Sequence, residues 1–219
     1  MADRIVVINP NSTQAVTDGI DRAVAPLRMS GGPAIECVTL TEGPPGIESQ
    51  ADVESVVQPL CRYVRSRDND AQAFVVACFS DPGLFAVREA TRRPVFGIAE
   101  CGLLKALTLG ERFGTIAILA RSIPRHLRYV RMMGLESRFA AELPIELGIR
   151  ELGDDAKTFE RMEKVGSRLR DEHGAHVVVM GCAGMARFRD RLEDALGVPV
   201  VEPTLAATTM ALGAVRLGW

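Results

Sequence analysis

The sequence predicts an α/β protein of two similar lobes, each built on a four-stranded, mostly parallel sheet flanked by helices. Strand-like apolar runs alternate with longer stretches of helical period, the pattern of a parallel sheet covered by helices. The runs recur in the second half of the chain at nearly constant spacing from those of the first. Each half also closes one Val-rich run on a cysteine, Cys78 or Cys182, and a continuous run of that kind reads as a central strand buried on both faces.

The opening strand is predicted over residues 4–8, with its counterpart at 114–119. Residues 35–40 pair with 145–150 at a shift of 110, the run 73–78 with 177–182 at a shift of 104, and 94–96 with 199–201 at a shift of 105. Between them, residues 49–67 carry Val53, Val56, Val57, Leu60 and Val64 at helical spacing behind a polar cap position. Residues 154–172 repeat this with Phe159, Met162, Val165 and Leu169, so each cysteine strand follows a helix. Residues 103–109 and 205–217 are the helices expected after the last strand of each half. The inferred architecture is a pair of pseudo-symmetric, Rossmann-like lobes, residues 1–110 and 111–219, with the helix near 205–219 completing the first lobe and the active site between the two.

A chain of 219 residues with 47% hydrophobic content can bury a substantial core. A net charge of -2 and the lack of a basic, aromatic-interleaved stretch exclude a nucleic-acid partner. No apolar stretch is long enough for a membrane span and the N-terminus does not read as a signal peptide, so the expectation is a cytoplasmic protein with no membrane partner. The five cysteines, 37, 61, 78, 101 and 182, are scattered and lack any C-x-x-C spacing, which argues for reduced thiols and against a zinc site or disulfide framework. His173 and His176 precede the strand that ends at Cys182, at the wrong end of the sheet for a metal site in the crevice, and no metal is expected.

In open α/β sheets the ligand crevice lies beyond the carboxyl ends of the strands. The loop Asn9-Pro10-Asn11-Ser12-Thr13 follows the opening strand and precedes a helical stretch. A turn with an N-cap explains Ser12 or Thr13, but two asparagines around a proline exceed that need, which makes Asn9, Asn11 and Ser12 candidate ligand contacts. Cys78 leads into Phe79-Ser80-Asp81-Pro82-Gly83-Leu84, and Cys182 into Ala183-Gly184-Met185. A thiol just before a helix N-terminus is expected to have a lowered pKa, and the small residues Ala183 and Gly184 let a ligand approach backbone N–H groups. One cysteine so placed is by default a core residue; two at matched sites point to proton transfer. Arg121, Arg125, Arg128 and Arg131 lie at helical spacing, read foremost as a solvated or subunit-contacting stripe, with an anionic-substrate clamp as the alternative.

These loops resemble a known family. Ile8-Asn9-Pro10-Asn11-Ser12-Thr13, Cys78-Phe79-Ser80-Asp81-Pro82-Gly83, Gly181-Cys182-Ala183-Gly184-Met185 and Gly43-Pro44-Pro45-Gly46-Ile47-Glu48-Ser49 are similar to motifs of the hydantoin racemase branch of the aspartate/glutamate racemase superfamily, which includes allantoin racemases. The likeness runs over the whole chain. It implies racemisation of a small-molecule substrate without a cofactor, Cys78 and Cys182 serving as acid and base, in a homo-oligomer. Asn9, Ser80 and Gly184 would position the ring, N–H groups around Ser80 and Ala183 would hold an enolate, and Ile47 and Phe79 are candidates to meet the 5-substituent, with core packing the leading reading of Phe79. Ser122 stands where many members carry a hydroxyl after the first strand of the second half, and Ser80 where hydantoin racemases often have Gly or Asp. The alternatives are an amino-acid racemase, a maleate-type cis-trans isomerase, an arylmalonate-type decarboxylase, or a small-molecule sensor without turnover.

Overall fold

The computed structural model describes residues 3–149 and 151–219. Among the described residues eight strands form two sheets, β1 (Arg4–Asn9), β2 (Ala34–Thr39), β3 (Ala73–Val76) and β4 (Val95–Gly97) in the first, β5 (Phe113–Ala117), β6 (Phe139–Pro144), β7 (Val177–Met180) and β8 (Val200–Val201) in the second. The first has order β2-β1-β3-β4 and the second β6-β5-β7-β8, with every pairing parallel. The two sheets therefore have one and the same topology. The helices are α1 (Gln14–Val24), α2 (Gln50–Ser55), α3 (Val57–Arg67), α4 (Leu84–Ala90), α5 (Ile98–Leu107), α6 (Ile123–Met132), α7 (Asp155–Asp171), α8 (Arg189–Leu196) and α9 (Pro203–Leu217).

The chain divides into two compact units. One comprises the residues up to Ile47, Ala51–Cys101 and Thr204–Trp219; the other comprises Glu48–Gln50 and Gly102–Pro203. In the first unit β1 and β3 are central, β1 buried from Ile5 onward and β3 along its whole length, and Ile8, Phe74 and Val76 pack on Val56, Leu60 and Val64 of the α2–α3 segment. In the second, Ile116, Val178 and Met180 pack on Met162 and Leu169 of α7 and Leu192 of α8. Central strands with both faces covered account for the unbroken apolar runs that mark them in the sequence.

The helix expected over 103–109 begins earlier, at Ile98, and two further elements differ more from the sequence expectation. The strand expected at 145–150 lies at Phe139–Pro144 instead, and residue 150 is outside the described residues. Ile145 and Leu147 still donate their N–H groups to Ala117 and Ile118 at 2.9 and 3.0 Å, but Glu146 between them has φ 54°, left-handed backbone that ends the pleat. The helix expected over 49–67 is two helices that part at Val56. Pro59 has no N–H and its ring opposes the carbonyl of Ser55, so a continuous helix cannot pass through that turn.

Candidate active site

A sheet of order 2-1-3-4 changes direction between its first and third strands, and the crevice of such a sheet opens beyond their carboxyl ends. In the first unit that position belongs to Asn9, the last residue of β1, and Cys78, just after β3. Ala77 N–H reaches Ile8 O at 2.8 Å, which sets Cys78 beside the start of the Asn9 loop. The second unit repeats the arrangement, with Gly181 N–H on Ile116 O at 2.8 Å and Cys182 next in the chain.

The Asn9 loop is built by its own side chains. Asn9 is fully buried, and its Nδ2 donates to Asn11 Oδ1 at 3.1 Å and to Thr17 Oγ1 at 3.0 Å. Its Oδ1 accepts from Asn11 N–H at 3.2 Å, while Asn11 Oδ1 accepts from Thr13 N–H at 2.9 Å. Asn9 thus shapes the turn that presents Asn11 and Ser12. Ser12 N–H donates to Pro44 O at 2.9 Å and Thr13 Oγ1 to Pro45 O at 2.6 Å, which brings the loop before Ile47 alongside. A Cβ on Gly43 would stand 2.1 Å from Pro10 O, so this approach requires glycine. Ile47 is buried in the core of the first unit.

Cys78 is partly exposed, Phe79 is buried and Ser80 is partly exposed. Asp81, which sequence reasoning did not single out, organises this turn. Its N–H donates to Cys78 O at 2.9 Å, and its carboxylate accepts from Ala99 N–H at 2.9 Å and Glu100 N–H at 2.8 Å, in the first turn of α5. A buried carboxylate at a helix start satisfies donors that the helix cannot and meets the positive end of its dipole. The only advance signal was an Asp before Pro-Gly; its target lies far along the chain. A Cβ on Gly97 would fall 2.2 Å from Asp81 Oδ2, so Gly97 makes room for the carboxylate.

Around Cys182, Ala183 is buried and begins a 3-10 turn over Ala183–Phe188. Gly184 N–H donates to Cys182 Sγ at 3.4 Å. The thiol is nevertheless pushed up from 9.0 to about 11: burial raises it most, the Gly184 N–H lowers it, and the charges of Glu202 and Glu48 raise it. This corrects the expectation of a thiol activated by a helix end. The helix that follows is a short 3-10 turn, and burial of the sulfur, with two carboxylates adding to it, overrides its single N–H. Neither Glu202, at the end of β8, nor Glu48 carries a sequence signal that ties it to Cys182. Ser122 is buried and its hydroxyl donates to Leu119 O at 2.7 Å, so it stands at the carboxyl end of β5 with its proton committed to backbone.

The arginine stripe binds a short segment of the same unit. Arg121 pairs with the Glu48 carboxylate, Arg125 Nη1 donates to Glu48 O at 3.3 Å, and Arg128 Nη2 donates to Gln50 Oε1 at 2.9 Å. Ile149 N–H also donates to Glu48 Oε1 at 3.0 Å. Arg131 pairs instead with Glu136. Three of the four arginines are therefore partners of the 48–50 segment. Cys61 and Cys101 are buried, and Cys37 lies on β2.

The comparisons agree with this topology. A hydantoin racemase from Paenarthrobacter aurescens is 36% identical over 220 residues, covering 99% of this chain and 92% of its own. The solved allantoin racemase from Klebsiella pneumoniae superposes with a TM-score of 0.94 at 32% identity, covering 99% of this chain and 89% of its own. The allantoin racemase from Pseudomonas fluorescens gives 0.91 at 27% identity, with 98% and 92% covered. The Asp/Glu/Hydantoin racemase family model matches residues 5–211. With a match over nearly its whole length, the chain belongs to the Asp/Glu/hydantoin racemase family.

Proposed function

We propose that this racemase inverts C5 of a 5-substituted hydantoin or of allantoin without a cofactor, with Cys78 and Cys182 as its proton-transfer pair. The observation that carries this reading is their equivalence: each partly exposed thiol follows the third strand of a sheet of the same order. The substrate class is supported by the relatives sharing about a third of its residues, which bear the names hydantoin racemase and allantoin racemase.

The C5 proton lies α to a ring carbonyl, so its removal leaves a carbanion delocalised as an enolate. One cysteine, as thiolate, takes that proton and becomes a thiol. The other, as thiol, gives its proton to the opposite face and becomes a thiolate, so the pair ends each turnover with protonation exchanged and the substrate inverted. A sulfur held near 11 is almost wholly thiol at neutral pH, which suits Cys182 to the donor role in the resting enzyme. The Gly184 N–H is directed at sulfur, which leaves that of Ala183 for the enolate oxygen. Asn11, Ser12 and Ser80 would meet the polar ring atoms, and Ile47 and Phe79 the 5-substituent. Asn9 acts through the loop it shapes, and Ser122 through the turn it closes.

The test follows optical rotation and deuterium uptake from solvent on separate enantiomers of 5-benzylhydantoin, allantoin and aspartate with no added cofactor. Racemisation of a hydantoin or allantoin, abolished in both Cys78→Ser and Cys182→Ser, is expected, with exchange retained from a single enantiomer in each variant. Full activity in both variants would falsify the two-thiol mechanism; turnover of aspartate alone would move the substrate to amino acids.

A further inference from the structure

We propose that Arg187 is a positioning residue for Cys182, its guanidinium fixing the Gly184 turn so that the Gly184 N–H stays on the sulfur. The proposal rests on the reading of Cys182 as one of the proton-transfer pair, but its geometry stands within one unit. Arg187 Nη1 donates to Gly184 O at 2.9 Å. Nη2 donates to Leu152 O, and Nε and Nη2 reach Asp155 Oδ1 at 2.9 and 2.6 Å. The guanidinium also lies over the ring of Phe188, 4.3 Å from its centroid, and that ring is buried beside Phe159 at 6.3 Å. One planar fork thereby joins the cysteine turn to the start of α7 and to the core beneath.

The turn needs an external brace. Its hydrogen bonds are of 3-10 type, poorer in geometry than those of an α-helix, and glycine at 184 gives the backbone wide freedom. Leu152, whose carbonyl Arg187 holds, also closes the far side: a Cβ on Gly184 would meet Leu152 Cδ1 at 3.2 Å and Cys182 Sγ at 3.5 Å. A side chain at 184 would press on the end of Leu152, and with glycine there the hold on the turn comes from the Arg187 fork. The exposed ion pair with Asp155 contributes little by itself; two carbonyls gripped by one fork supply the orientation.

The consequence falls on the thiolate. Burial and two carboxylates oppose ionisation of Cys182, and the Gly184 N–H is the influence that favours it. A turn freed from Arg187 lets that N–H stray, the thiolate becomes scarcer at a given pH, and the step in which Cys182 acts as base slows.

The decisive measurement is the rate of Cys182 alkylation by iodoacetamide between pH 7 and 11, read by peptide mass spectrometry in the wild type, Arg187→Gln and Arg187→Lys, with Cys78 as internal reference. Both variants are expected to slow alkylation of Cys182 about threefold to tenfold at pH 8, as a thiol pKa raised by up to one unit requires, and to leave Cys78 unchanged. Racemisation kcat should fall in parallel at a near-constant KM. Lysine keeps the charge but not the fork, so a wild-type rate in Arg187→Lys beside a slow Arg187→Gln overturns the proposal. Equal slowing of Cys78 and Cys182 with a lowered Tm also overturns it, as general loosening. Asp155→Asn, which keeps the arginine but weakens one anchor, should give a smaller shift in the same direction if Arg187→Gln folds poorly; an unchanged Cys182 rate in that variant counts against the brace. Alkylation requires no substrate. A Cys182-specific effect without hydantoin turnover would uphold the positioning role while refuting the proposed activity.

Discussion

The two thiols share a place in the topology, yet Cys182 is held in its protonated form by surroundings drawn from distant parts of the chain. Its neighbour in sequence, Gly184, works in the opposite direction from Glu202 and Glu48. Glu202 is buried at the end of β8, so its charge acts on the sulfur with little screening by water. Glu202→Gln removes that charge at constant shape and should bring the Cys182 thiol down from about 11 toward 9.0, so that thiolate absorbance near 240 nm develops at lower pH. The sign follows because an anion disfavours a second anion beside it. A titration of Glu202→Gln that overlays the wild type would remove Glu202 from this account. Both cysteines were legible as candidates because strand runs and small-residue loops are local patterns. The balance of charge at Cys182 was not, since it depends on which carboxylates the fold carries to one sulfur.

At the scale of elements, the turn after β3 is held by a bond to the start of α5. Asp81 supplies the capping oxygens that α5 lacks within its own sequence, and it also closes the turn on Cys78 O. Asp81→Ala takes the carboxylate acceptor from one buried and one partly buried N–H and should cost about 2 kcal/mol, seen as a lower urea midpoint at an unchanged slope. A loss below about 0.5 kcal/mol would mean that water replaces the carboxylate. The sequence showed a helix and a turn here but not the bond between them. Local patterns misled in two other places for physical reasons. β6 is an edge strand, Phe-Ala-Ala-Glu-Leu-Pro, half-buried except at the buried Glu142, and lacks the apolar run by which its central neighbours are recognised, whereas the following Ile145, Leu147 and Ile149 alternate like a strand without forming one. Pro59 sits amid strong helical spacing, and its effect on the preceding turn outweighs that spacing.

For the whole molecule, correcting β6 makes the internal repeat more regular. β2 and β6 begin 105 residues apart, matching the separation of β4 and β8, while β3 and β7 differ by 104. The repeat was legible because parallel strands buried on both faces leave long apolar runs, and the spacing of such runs survives large changes of residue. The exchange of short segments between the units left no such trace: Glu48–Gln50 is claimed by three arginines of the second unit through side-chain bonds that no periodicity encodes. Packing of this kind also sets how the protein responds to alkali. Burial foremost pushes the Cys37 thiol up to about 12, as it does Cys182 to about 11, and Cys101 is raised as well. In the unfolded chain these thiols ionise near 9.0, so below that pH both states hold the proton and stability is complete. As pH climbs from 9.0 through 11 to 12, the unfolded state releases protons that the folded state retains, and folding loses on the order of 2 kcal/mol per thiol once solvent screening is allowed for. Unfolding free energies from urea titrations at pH 8 and pH 11 should therefore fall more steeply in the wild type than in Cys37→Ala, by roughly the contribution of that one thiol. Since lysines and tyrosines titrate alike in both proteins, parallel falls would show that Cys37 ionises in the folded chain as freely as in the unfolded one, and the surroundings of this edge strand would then be more open to water than its packing implies.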